Sequence, residues 1–339
     1  MTGAEAVYGL MGLGLFAWLM TGGADLGGGV VERWVPPALQ TRARAAVEKA
    51  LAPIWEANHV WLIFVVVLLF TAFPKAFAVV SVAFHWPLLL ALLGLVARGA
   101  AFTFRAYGLD PSATTQERYS RVFTLASAGV PVVLGMVLAG SASGAVVVEN
   151  GRVTSSLSAG WATSFGLSVG AFTLSLCALL AAVYLTLATQ DDDELVEVFR
   201  RRGLQLEAIA GALAAVTVWR ASADASAFFE RLSSTTLTAP WQAVTALSAL
   251  GCVVALAKRK YSLARVAVGA QVLFVFVGFA AAMRGDLLLG AMSLAQAGTQ
   301  QATLDAVAPG LVVGTLVLAP ALVWLYRTFR APARPTSDG

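Results

Sequence analysis

Of 339 residues, 58% are hydrophobic and 12% charged, with a mean hydropathy of +0.77 and a formal net charge of +4. A soluble globular chain carries roughly 25% charged residues, so the composition excludes a water-soluble enzyme and points to an all-α polytopic membrane protein. The basic excess does not mark a nucleic-acid binder, because it is scattered between apolar runs and forms no block.

Nine apolar runs approach the roughly 20 residues that a spanning helix needs: 6–28, 54–73, 76–97, 122–140, 161–187, 204–220, 239–257, 263–283 and 307–326. The first contains "LMTGGADLGGGVVERW", with Asp25 set among Gly22, Gly23, Gly27, Gly28 and Gly29. Glycines there let a neighbouring helix approach the backbone, or let the helix break. A carboxylate at that depth requires a partner or a proton. No Lys or Arg precedes this run, and no short apolar core is followed by a cleavage site, so it is expected as a retained helix and not a signal peptide.

The second run opens "PIWEANHVWLIF". Glu56 and His59 are three apart and share a helical face, while Asn58 and Trp61 point to an adjoining one. Asp25 and His59 fall at similar depth from the same side, where a carboxylate and an imidazole able to exchange protons near neutral pH would form a proton route. The alternative is a solvated, interfacial Glu56 with Trp55 and Trp61 as headgroup-level anchors.

The third run carries His85 near its middle, read as a hydrogen-bonded packing residue, and ends "ARGAAFTFRAYG". Arg98 and Arg105 are seven apart on one face, either as snorkelling anchors or as contacts for an anion or a partner subunit. With 2 histidines and 6 methionines, the chain is poorly supplied to hold several haems or metals by itself. No metal or cofactor is therefore assigned to it, and redox cofactors are expected on a partner.

Further along, Asp191, Asp192, Asp193 and Glu194 followed by Arg200, Arg201 and Arg202 read as a solvated amphipathic segment, with acids at its helix start. Glu207 opens the sixth run as an interfacial residue. Cys177 and Cys252 lie inside apolar runs and read as packed core thiols. The tail 331–339, "APARPTSDG", is low in complexity and expected to be disordered. Walker, GxSxG, HExxH and EF-hand spacings are missing, which removes most support for ATP-driven pumping or hydrolysis. Most of the 23 Lys and Arg follow runs 1, 3, 5, 7 and 9, so the positive-inside rule puts the N-terminus outside and the C-terminus in the cytoplasm.

Four stretches in order resemble motifs of subunit II of cytochrome bd-type quinol oxidases. "MTGGADLGGGV" is similar to that family's TDGFDLGVG, "APIWEANHVWLIF" to GPxW(D/E)xNxVWL, "ARGAAFTFR" to RGxxFxFR, and, more weakly, "YLTLATQDDDELVEVFRRR" to T-x-x-x-L-x-x-R-x-R. The resemblance covers the first 202 residues, with hydropathy alone agreeing beyond. It implies nine helices as two four-helix bundles (about 6–140 and 161–283) and a peripheral helix (about 307–326). It also implies a multi-pass chain in the bacterial cytoplasmic membrane, bedded in membrane lipids and paired with a haem-bearing subunit I. That partner would hold b- and d-type haems and oxidise quinol, reducing dioxygen to water with cytoplasmic protons.

The family's proton-supplying acids map onto Asp25 and Glu56. This chain departs where many members have an acid at His59 and a glutamate at Thr103, and where a first-helix aspartate shortly before Asp25 is glycine. That pattern points to a route rewired through His59. A proton-coupled transporter and a purely structural subunit are the competing readings.

Overall fold

The structure, a computed structural model, describes residues 2–51, 55–107, 112–234 and 236–330. Its regular elements are helical apart from two short hairpins: α1 (Gly3–Val31), α2 (Gln40–Leu51), α3 (Trp55–Ala72), α4 (Pro74–Ala83), α5 (His85–Tyr107), α6 (Ala113–Ala142), β1 (Val148–Glu149), β2 (Arg152–Val153), α7 (Ser164–Ala188), α8 (Asp193–Asp224), α9 (Ser226–Leu232), α10 (Ala239–Ala257), α11 (Tyr261–Met283), β3 (Asp286–Leu288), β4 (Met292–Ser293), α12 (Leu294–Ala297) and α13 (Gln301–Arg330). Among the described residues, 8 helices are long and apolar enough to cross a membrane, and the bent pair α3–α4 makes a possible ninth. The expected tail at 331–339, and Pro53 of the second motif, lie outside the described residues.

Local chemistry sets the helix ends. Thr2 and Glu5 form a reciprocal capping box at the start of α1, and Asp192 caps α8 by accepting from the Leu195 backbone N–H at 3.0 Å. Asn150 and Gly151, both at positive φ, close the β1–β2 hairpin, the pair that a two-residue hairpin turn favours.

Pro74 sits at the first turn of α4, where its ring cannot continue α3, and the two helices meet at a bend of 118°. This break shifts the third span. The run expected at 76–97 is divided between α4 and a span from His85 to Arg105. His85 therefore begins α5 instead of lying in mid-membrane, with Nδ1 3.4 Å from the Val82 carbonyl oxygen. Arg98, in turn, is well inside the span.

The glycine-rich stretch does not break α1, which runs unbroken to Val31. Its glycines serve contact instead. A Cβ on Gly27 would overlap the Cys177 carbonyl of α7, and one on Gly29 would overlap the Ser127 side chain of α6. So α1 becomes the central helix, packed against α3, α6, α7 and α13, with Ala24 and Val31 joined to the core of α7, α8, α10 and α11. Cys177 and Cys252 are free thiols in that interior.

Because the Gly27 neighbour is backbone and cannot yield, Gly27→Ala should cost at least ~2 kcal/mol by overpacking. Gly129→Ala, with nothing within 4 Å, should stay within ~0.5 kcal/mol. Thermal denaturation of the detergent-purified protein followed by size exclusion reads the difference, and equal behaviour of the two variants would contradict the contact.

Candidate functional site

The spacing of charge on two helices builds the site. On α1, Asp25 and Glu32 are seven residues apart, the second lying in the turn that closes the helix. On α5, Arg98 and Arg105 are also seven apart. Two helical turns rise about 10.5 Å, so parallel helices meet in two matched rungs.

In the first rung Arg98 Nη2 donates to Asp25 Oδ1 at 2.8 Å and to the Asp25 carbonyl at 3.1 Å, while Nε donates to Ser127 Oγ at 3.1 Å. In the second, Arg105 Nη1 donates to Glu32 Oε1 at 2.6 Å, and Nη2 lies 3.1 Å from Glu48 Oε1 of α2. Both guanidiniums stand against the ring of Phe123, with their carbons 4.7 and 4.4 Å from its centroid.

Arg98 is 2% exposed and Asp25 3%. Arg98 and Arg105, expected as anchors or as contacts for an anion or a partner subunit, thus meet carboxylates of their own chain. The rungs leave acceptors open: among the described residues, Asp25 Oδ2 and Glu32 Oε2 have no protein partner. A small surface recess lined by Glu32, Arg33, Gln40, Arg44, Ser120 and Thr124 reaches the second rung.

Trp18, seven residues before Asp25, extends the same face of α1. Its indole Nε1–H donates to His59 Nδ1 at 3.4 Å. An indole can only donate, so this bond selects the neutral imidazole tautomer with its proton on Nε2. His59 is half-buried and close enough to Asp25 and Arg98 to feel their charges. Asn58 is buried, and Trp61 packs with Trp18, Leu26, Val130 and Leu322 between α1, α3, α6 and α13. Glu56 is exposed in the first turn of α3. The side chain of Trp55 lies outside the described residues.

Around this core an outer set of ion pairs ties the helix ends together. Arg42 of α2 forks onto Asp192 and donates to Glu194 at 2.8 Å. The Arg42 guanidinium holds the Asp192 carboxyl below the usual carboxylate range. The acidic run is therefore a cap and a clasp for α2, not only a solvated face.

Glu207, expected at the interface, is instead 6% exposed, with Gln271 Nε2 donating to its Oε2 at 3.1 Å. Sequence reasoning missed Glu32, Glu48, Phe123 and Ser127. For Glu32 a signal was present: the spacing from Asp25 repeats that between Arg98 and Arg105.

Among the described residues no three His, Cys, Asp or Glu side chains group as a metal site would require. The model of one protein family, cytochrome bd terminal oxidase subunit II, matches residues 4–329. The chain is 34% identical over 83 residues to cytochrome bd ubiquinol oxidase subunit 2 of Bacillus subtilis (strain 168), covering 24% of each chain. It is 31% identical over 97 residues to cytochrome bd-I ubiquinol oxidase subunit 2 of Escherichia coli (strain K12), covering 29% of this chain and 25% of that one. These alignments thus span about a quarter of the length of the curated relatives. In fold it is similar to a chain of the bd oxidase from Geobacillus thermodenitrificans, with a TM-score of 0.79 at 23% identity, covering 97% of this chain and 99% of that one.

A buried pair is costly to break one-sidedly, because the remaining charge is stranded. Asp25→Asn and Arg98→Gln should each destabilise by about 3–5 kcal/mol, and the double variant by clearly less than their sum. A double-mutant cycle on thermal unfolding measures this, and strict additivity would contradict the pairing.

Proposed function

The chain belongs to the cytochrome bd terminal oxidase subunit II family, and we propose that it is the non-haem subunit of a membrane quinol:dioxygen oxidoreductase, supporting a haem-bearing partner and helping to supply cytoplasmic protons. The family and the spans support a place in the bacterial cytoplasmic membrane. By the positive-inside rule, the basic segments after α1, α5, α7, α10 and α13 support a cytoplasmic position for those helix ends and for the C-terminus. In this reading α1, α3–α4, α5 and α6 form one four-helix bundle, α7, α8, α10 and α11 the other, and α13 is peripheral. The partner's b- and d-type haems would supply electron transfer from quinol and oxygen reduction; the two histidines of this chain are engaged otherwise, His59 with Trp18 and His85 beside the Val82 carbonyl.

One observation carries the proton reading: Trp18, Asp25 and Glu32 place a titratable or polar group at every second turn of a single helix face, with His59 facing that stripe from α3. Glu56, exposed one turn before His59, collects a proton from the cytoplasmic side. His59 passes it on. When its Nδ1 takes a proton it gives up the Trp18 bond, and the Asp25 carboxylate nearby stabilises the imidazolium. Arg98 holds Asp25 in place, and the open Asp25 Oδ2 accepts from water. Glu32 and its recess give water a second approach to the same face.

The competing structural reading draws on the same ion pairs as struts between α1 and α5. It is separable by variants that spare the struts. His59→Gln retains an acceptor for Trp18 but cannot titrate, and Glu56→Gln retains shape. Each should lower quinol-dependent oxygen consumption by about tenfold or more, with haem content and subunit ratio unchanged. Turnover within twofold of the parent for both variants would leave only the structural role.

A further inference from the structure

The second half of the chain handles a buried carboxyl differently from the first. Glu207 on α8 and Gln271 on α11 are 6% and 5% exposed. Gln271 Nε2 donates to Glu207 Oε2 at 3.1 Å, and the Cys252 thiol of α10 is within hydrogen-bond reach of the same carboxyl. Two atoms are left over. Glu207 Oε1 and Gln271 Oε1 have no partner among the described residues, and both are acceptors unless Glu207 carries a proton.

Among the described residues no cation answers this carboxyl. Glu197 takes Arg200, Arg201 and Arg259 at 2.7, 2.9 and 3.2 Å. Arg202 lies over the Trp34 ring and bonds Gln205, and Arg265 stands over the Tyr184 ring of α7. Lys258 and Lys260 are exposed, as is the Arg259 between them. At the far end of α8, Asp224 bonds Ser164, and Arg231 of α9 pairs with Asp286. On α11 the other titratable side chain is Tyr261, at the helix start. The core holding Cys252 is otherwise apolar, with Leu206, Ala210, Leu256, Val268 and Val272 buried in it. An ionised carboxylate without a cation in such a core costs several kcal/mol, whereas a neutral acid with hydrogen bonds is tolerated.

We propose that Glu207 is a proton-binding site: at neutral pH it is a carboxylic acid whose Oε1–H donates to Gln271 Oε1, while Gln271 Nε2–H donates to Glu207 Oε2. Carboxyl and primary amide are planar forks of matching spacing, so the two bonds close one ring. A single proton thereby satisfies both orphan oxygens. This site is separate from the Asp25 and His59 stripe and does not depend on the function proposed for it. It makes the α8–α10–α11 core electrically neutral without an arginine.

Infrared absorption of the intact complex purified from native membranes at pH 7 tests this, read as parent minus Glu207→Gln. The expected result is loss of one carboxylic-acid carbonyl band, with a thermal midpoint close to the parent, because two amides close the same ring. Loss of carboxylate-stretch intensity instead would overturn the proposal, since it would mean an ionised Glu207 with water bridging the two oxygens. Gln271→Leu serves if the first variant does not assemble. It leaves the acid but removes its acceptor, so the acid carbonyl band should move to higher frequency, and an unchanged acid region would overturn the proposal.

Discussion

Hydrocarbon offers a carboxylate nothing in exchange for its water, and that constraint organises the first half of this chain. Asp25 in α1 is met by Arg98, and Glu32 by Arg105, since either charge left alone at that depth would be stranded. Because each pair is separated by the same seven residues on its own helix, satisfying one rung sets the register for the other. The helices cannot slide by a turn without stranding buried charges.

The glycines follow from this arrangement. With Asp25 drawn toward α5, the backbone of α1 must lie close to α6 and α7, and Gly27 and Gly29 remove the atoms that would prevent it. Phe123 covers both guanidiniums from α6, so that the charges face a π surface instead of lipid. The same tight packing fixes where Trp18 sits, and through it the tautomer of His59. The proposed proton route is therefore a by-product of how the ion pairs are housed: acceptors left open by the rungs, beside an imidazole held neutral. In the other half, where Glu207 has an amide and a thiol but no guanidinium, neutrality has to come from a proton.

Much of this was legible in the sequence. Hydropathy located the spans because a helix in lipid must be continuous and apolar, and most run ends agree with the helices within a few residues. The third span was misplaced because hydropathy does not register the break between α4 and α5: the residues around Phe84 are mostly apolar, so the run from 76 passes straight through it. Asp25 and His59 stood out because polar groups at depth are rare. The roles of Arg98 and Arg105 were hidden by that same misplacement, which ended the span before both of them, whereas it runs to Arg105. Glu207 was hidden too, since depth within α8 depends on how far the helix projects beyond its Arg200–Arg202 belt, a matter of tertiary packing. Phe123 and Ser127 carried no signal at all, being ordinary residues of an apolar helix until an arginine reaches them.

The claim that this chain supports a redox partner is tested most directly by what accompanies it out of the membrane. A tag on this chain, mild purification from native membranes, and a reduced-minus-oxidised absorption spectrum beside a gel of the subunits would answer it. The account predicts a second, haem-bearing subunit in stoichiometric amount and difference bands of b- and d-type haems. A colourless preparation containing this chain alone, from membranes that retain it in folded form, would contradict it.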